Sequence, residues 1–186
     1  LPTETDEDVL AIAQLVRGVA RVGRQTLGPR AGRMKINVSV ACFVPKPHTP
    51  LQWEGQMPRN ELIRRQNLLR DALRDRQINL SCHDADQSVV EAALARGSRQ
   101  TALAILAAYE DGAGKQGDEP FPYQRWQAAF QRAGLSLEQE AERHFHPGSR
   151  LPWDHIDTGV SREFLLAERE RVFRGETTPD CRSGAC

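Results

Sequence analysis

Lys46, His48 and Thr49 stand on a stretch that prolines interrupt at positions 45, 47 and 50, with Trp53 close behind. Polar and titratable side chains on a stiff loop that follows an apolar run are the usual build of an α/β active-site rim. Two further sets are of metal-binding type. His144-x-His146, with His155, Asp154 and Asp157 nearby, offers nitrogen and oxygen ligands; the spacing fits no standard motif, and polar loops are the plainer account. Cys181-x4-Cys186 is more suggestive, as half of a structural zinc or auxiliary iron–sulfur site that needs about four ligands. Cys82-His83 is not an activated nucleophile, because neighbours on a strand point to opposite faces. No glycine-rich phosphate loop and no Ser-His-Asp signature occurs.

The elements that must position these residues follow from periodicity. Thr5 is a good N-cap, and Asp6, Glu7 and Asp8 favour the positive end of a helix. Val9, Ile12, Ala13, Val16, Val19 and Ala20 give that helix its apolar face, and Gly23 is its natural stop. Residues 24–35 read as a Gly/Arg connection, with a phosphate or RNA contact as the alternative. Val38, Val40 and Cys42 then alternate with Asn37, Ser39 and Ala41, so residues 36–44 read as a strand. The prolines end it near Val44, since they cannot donate to a ladder. Residues 58–76 read as a helix with Leu62, Ile63, Leu69, Ala72 and Leu73 inward and five arginines outward, and residues 78–83 as a short strand.

Further helices are expected after Asp84 or Asp86, closed by Gly97, and after Ser98, closed by Gly112. The second of these presents Ala102, Leu103, Ile105, Leu106 and Tyr109 as its apolar face. A glycine-rich, mobile link over 112–120 precedes helices over 122–134 and 137–145, the latter with Ser136 and Gln139 as a capping box. Residues 151–157 read as extended, and Ser161 caps a last helix to about Phe173. Strand, helix and strand in order predict βαβ units and a mostly parallel sheet.

The 186 residues suffice for one domain or one domain plus an extension. Lys and Arg total 25, as do Asp and Glu, which argues against bulk electrostatic capture of nucleic acid and leaves only a local patch. A mean hydropathy of −0.56 and the lack of a long apolar run predict no bilayer span. Cys42 and Cys82 sit on apolar runs as buried thiols, so a reducing, cytoplasmic setting is expected. The chain opens on Leu1-Pro2 and closes on Cys186 without a finishing element, which suggests part of a larger protein.

Two motifs carry a family resemblance. Leu1-Pro2-Thr3-Glu4-Thr5, before an acidic helix start, resembles the loop after the fifth barrel strand of radical S-adenosylmethionine enzymes. Phe43-Val44-Pro45-Lys46-Pro47-His48-Thr49-Pro50 resembles the loop after their sixth strand, where Pro-x-x-Gly-Thr-Pro is common; His48 stands where many relatives have glycine. The spacing between the motifs suits one helix and one strand. Residues 151–157, 159–163 and 175–181 resemble the C-terminal extension of a subfamily often joined to a cobalamin-binding-like domain.

The resemblance implies an α/β fold, namely the C-terminal part of a partial (βα) barrel followed by a mainly helical extension. It divides the chain into last strand and helix units over 1–57, flanking helices and a short strand over 58–112, and an extension with a cysteine-containing tail over 113–186. It implies a parent enzyme with a four-iron four-sulfur cluster that cleaves S-adenosylmethionine reductively, for radical, methyl or methylthio transfer to a substrate the sequence does not name. Cobalamin is a further cofactor it admits. The Cys-x3-Cys-x2-Cys cluster motif is absent from this chain, so the ligands are expected upstream. Glu4, Phe43, Val44 and Pro45 match cofactor-side positions, and Lys46 and His48 match substrate-side positions able to donate a proton. The competing reading is a non-catalytic module whose arginine-rich faces dock RNA or a protein.

Overall fold

The structure, a computed structural model, describes residues 1–113, 121–180 and 182. Most of the mobile link expected over 112–120, together with Cys181 and Cys186, lies outside them. The chain divides into two compact units: Leu1–Phe43 with Met57–Val89, and Val44–Gln56 with Val90–Cys186. Helices dominate, and the described strands form one two-stranded parallel sheet, an α/β arrangement at the coarse level.

The first unit begins with α1 (Asp6–Leu27). Its entry is a full capping box: Asp8 N donates to Thr5 Oγ1 at 3.3 Å, and Thr5 N donates to Asp8 Oδ2 at 2.8 Å. Val9, Ala13, Val16 and Ala20 are buried at helical spacing, while Val19 faces solvent. Gly23 does not end the helix. It makes room inside it, since a Cβ there would lie 2.4 Å from Met34 Sδ; the stop comes at Gly28, whose φ of 52° suits glycine. The expected Gly/Arg connection is therefore a last helical turn followed by a 3-10 stretch, Gly28–Arg33.

Strands β1 (Ile36–Val40) and β2 (Ile78–Cys82) pair in parallel, with Ile36 opposite Ile78 and Val40 opposite Cys82. Helix α2 (Arg59–Ala72) is the crossover, entered through Pro58. Ile36, Val38, Val40, Ile78 and Leu80 pack against Val9, Ala13, Val16, Leu69 and Leu73. On the opposite face Asn37, Ser39, Asn79 and Ser81 are exposed, and Asn79 Nδ2 donates to Asn37 Oδ1 at 3.0 Å. One sheet face is thus covered by helices and the other is polar and open. β1 stops at Val40, short of Val44, because its ladder ends there. His83 N makes the last bond, to Val40 O at 2.8 Å, and Asp84 then caps α3 (Ala85–Arg96) through the amides of Asp86 and Gln87. Likewise α2 ends at Ala72, whose carbonyl accepts from Arg17 Nη2 at 2.6 Å, and Asp75 turns the chain by accepting from Gln77 N.

The second unit holds α4 (Thr101–Glu110), α5 (Tyr123–Arg132), α6 (Leu137–Glu142) and α7 (Arg162–Arg174). One core joins Trp53, Leu151, Trp153 and Leu165 with Phe145; the other joins Ala107, Ala108, Ala113 and Ala129 with Trp126. Helix α4 is turned the other way from the expectation. Ala104, Ala107 and Ala108 are buried where the helix meets α5, while Leu103, Leu106 and Tyr109 are 58%, 54% and 77% exposed. A helix apolar all round gives no period to read, and small side chains win the close contact. Helix α6 stops at Glu142, not Phe145, because residues 143–145 run extended beside the 53–56 segment. Phe145 N donates to Trp53 O at 2.8 Å and Gln56 N to Ala141 O at 3.0 Å. Residues 151–157 are a chain of turns, not extended, with Leu151 N donating to Asp154 Oδ2 at 2.7 Å. The closing helix matches its sequence signals: Ser161 caps it by accepting from Phe164 N, and Gly175 ends it at φ 69°. No helix among the described residues is long and apolar enough to cross a membrane.

Candidate functional site: the proline-stiffened loop

Segment Val44–Gln56 belongs to the second unit, and its geometry centres on His48. Pro45 is buried, and Thr49 Oγ1 donates to Lys46 O at 2.7 Å, which closes the tip of the loop. His48 adopts φ 56°, the left-handed region that favours glycine. Its amide donates at 2.9 Å to Gln52 Oε1, and the same oxygen accepts from Trp153 Nε1 at 2.6 Å. Gln52 is buried and so fixes the backbone of His48 against the aromatic core. The imidazole Nε2 is buried and has no hydrogen-bond partner. Strained backbone and an unmet buried nitrogen at one residue are two separate costs, of the kind that functional sites retain.

Lys46 is placed differently. Its ammonium pairs with Glu91 on α3, both side chains being about half exposed. Of these two loop residues, His48 has a buried ring nitrogen without a hydrogen-bond partner, and Lys46 is occupied by a carboxylate.

Buried polar groups that carry no sequence motif support the loop. Glu54 is 5% exposed and pairs with Arg169 Nε at 2.6 Å. His144 Nδ1 accepts from Gly55 N at 3.3 Å and lies 3.4 Å from Glu54 Oε2. Gly55 is required by close approach, because a Cβ there would fall 2.0 Å from Glu142 O. Arg96, 1% exposed, donates to Ala141 O at 2.8 Å and Arg143 O at 2.6 Å and lies 4.9 Å over the Phe145 ring. Burial, and then the charge of Arg143, push its guanidinium down to about 10. Gln52, Glu54, Arg96 and Arg169 are the residues that sequence reading missed. The alternation Gln52, Glu54, Gln56 within an apolar stretch was their only trace.

Glu4 and Phe43 fall in the first unit, and Val44 and Pro45 in the second. The Glu4 carboxylate is engaged by Arg65 Nη1 at 3.0 Å, and the same nitrogen donates to the Glu4 carbonyl at 2.9 Å. Arg65 also holds Glu61, and Arg64 bridges Glu61 and Asp6. The guanidinium of Arg64, and then that of Arg65, bring the Glu61 carboxyl down to about 2. Phe43 and Val44 are half-buried. The histidine set is not brought together. His146 Nδ1 accepts from Gly148 N, His155 Nδ1 meets Pro152 O, and Asp157 caps a turn at Gly159. Among the described residues no three of His, Cys, Asp and Glu are grouped to hold a metal ion. Cys42 and Cys82 are free thiols, half-buried and not buried as expected because the two-stranded sheet has little packed over its far end, with Gln66 Nε2 lying 3.4 Å from Cys42 Sγ. Two thiols are short of the four ligands that an iron–sulfur cluster takes.

No family model, no curated protein and no solved structure matches the chain.

Proposed function

We propose that this chain is the C-terminal part of a radical S-adenosylmethionine enzyme, supplying two strands of a partial barrel, the loop that faces substrate, and a helical extension. The observation that carries the reading is the β1–α2–β2 crossover: parallel strands, helices on one face and a polar, open second face. Parallel strands are at home with helices outside and further strands beside them. The loop that leaves the sheet after β1 is the one whose Pro47-His48-Thr49-Pro50 resembles the family motif, and His48 takes the backbone conformation that a glycine there would take freely.

In this reading the cluster belongs to residues upstream of Leu1, and when bound it supplies the electron for cleaving S-adenosylmethionine. The chain's own part is to position and to exclude water. The His48 imidazole sits on a fixed backbone and can hold or release a proton at Nε2. Gln52 and Trp153 keep that backbone in place. The Arg65 clamp on Glu4 holds the entry to α1. The RNA-binding alternative has less to rest on. Arg64, Arg65 and Arg74 of the arginine-rich helix α2 and its C-terminal turn are each paired with Asp or Glu, which neutralises three of the five outward arginines.

The test is a polypeptide extended upstream, reconstituted anaerobically with iron and sulfide and supplied with a reductant and S-adenosylmethionine. Formation of 5′-deoxyadenosine and methionine is expected, with none from residues 1–186 alone. An upstream sequence without Cys-x3-Cys-x2-Cys, or a loaded protein that forms neither product, overturns the proposal.

A further inference from the structure

Helix α4 of the second unit is apolar on both sides. Thr101, Ala104, Ala107 and Ala108 are buried, and the other side carries Leu103, Leu106 and Tyr109, each more than half exposed, with Ile105 at its margin. Apolar side chains at i, i+3 and i+6 on the outer face form a contiguous stripe, and a helix apolar all round is one whose outer face is covered in its working state.

The ends of the stripe indicate what covers it. Leu103, Leu106 and Glu110 follow one another at helical spacing, and Arg99 stands four residues before Leu103 in the turn that leads into α4. Arg99, in the turn before α4, is exposed and makes no side-chain bond among the described residues. At the other end Glu110 and Asp111 share a single guanidinium, that of Arg132, at 3.3 Å and 2.8 Å, so one negative charge is left over. The row therefore reads positive, apolar, apolar, negative. Laid antiparallel on a copy of itself, it matches each charge to its opposite and each leucine to a leucine. An isologous two-fold interface demands this kind of self-complementarity, and the antiparallel order also opposes the helix dipoles favourably.

We propose that α4 is the dimerisation helix of this chain, pairing antiparallel with α4 of a second copy about a two-fold axis between Leu103 and Leu106. Leucines and Tyr109 form the dry centre, and Arg99 with Glu110 of the other copy forms the rim. The proposal is independent of the catalytic reading: none of His48, Gln52 or Trp153 takes part.

Sedimentation velocity of the 186-residue chain over about 1–100 µM tests it, and a concentration-dependent dimer is expected. Leu106→Asp yields a monomer at every concentration; the position is half exposed, and unchanged tryptophan fluorescence checks that the unit stays folded. Arg99→Glu and Glu110→Arg each weaken the dimer about tenfold, and the double variant recovers most of the loss, because the swap restores opposite charges across the axis. A monomer throughout means that another chain or segment covers the face and overturns the proposal. So does a dimer that survives Leu106→Asp, or a charge swap whose two effects add without recovery.

Discussion

Replacing His48 by glycine should make the protein more stable. The left-handed backbone at His48 costs an L-residue about 1–2 kcal/mol, and the buried Nε2 without a partner costs about 1–3 kcal/mol. Glycine removes both and keeps the amide that donates to Gln52. Against this, the unfolded chain gains freedom worth about 0.5–1 kcal/mol, and the half-buried ring gives up contacts worth about 1 kcal/mol. The balance is a gain of about 1–2 kcal/mol, or a rise in melting temperature of about 2–8 °C for a chain of this size. All three tryptophans, at 53, 126 and 153, lie in the second unit, so their fluorescence during thermal unfolding reports on the unit that holds the loop. His48→Ala is the control, since it deletes the ring but keeps a Cβ in the strained region. Glycine should exceed alanine by about 1 kcal/mol. A glycine variant no more stable than the alanine variant would show that the backbone at position 48 is not strained, and the argument for a retained functional histidine would lose its first support. Under the proposed function, the same substitution in an upstream-extended protein should lower turnover while raising stability, the trade expected where a strained residue is kept for use.

Gly55→Ala should cost the second unit about 3 kcal/mol or more, because the new methyl would meet the Glu142 carbonyl at 2.0 Å and backbone has to move; a urea midpoint equal to the parent's would contradict the close approach. The first unit should lose stability in acid. The folded Glu61 carboxyl is depressed from 4.5 to about 2 by Arg64 and Arg65, so its contribution is complete above the unfolded value, about pH 4.5, and disappears as pH falls toward 2. Asp6 and Asp8, also lowered, act in the same direction. Circular dichroism of denaturant unfolding at stepped pH should show this decline, with a shallower slope in Glu61→Gln; equal slopes would remove the network from the account.

Much of the fold was legible because it is written in local signals. Thr5 with Asp8, Ser161 with Phe164, and Gly175 each act within a few residues of where they stand, and the alternation of residues 36–40 and 78–82 sets which sheet face is apolar. Element ends were less legible where a distant group decides them. Arg17 closes α2 from 55 residues away, β1 stops where β2 stops, and Met34 occupies the space that makes Gly23 an interior glycine instead of a stop.

The candidate site divides in the same way. By itself, the sequence determined that a histidine would stand on a proline-stiffened loop at the end of a strand, because proline and β-branched residues restrict their own backbone whatever surrounds them. Only the tertiary structure decided that this histidine would be strained, that its amide and the indole of Trp153 would share the buried oxygen of Gln52, and that α4 would bury alanines and expose leucines. Those outcomes depend on groups 101 residues apart in the case of Gln52 and Trp153, and on which of two apolar faces packs more closely. Local periodicity carries no term for either.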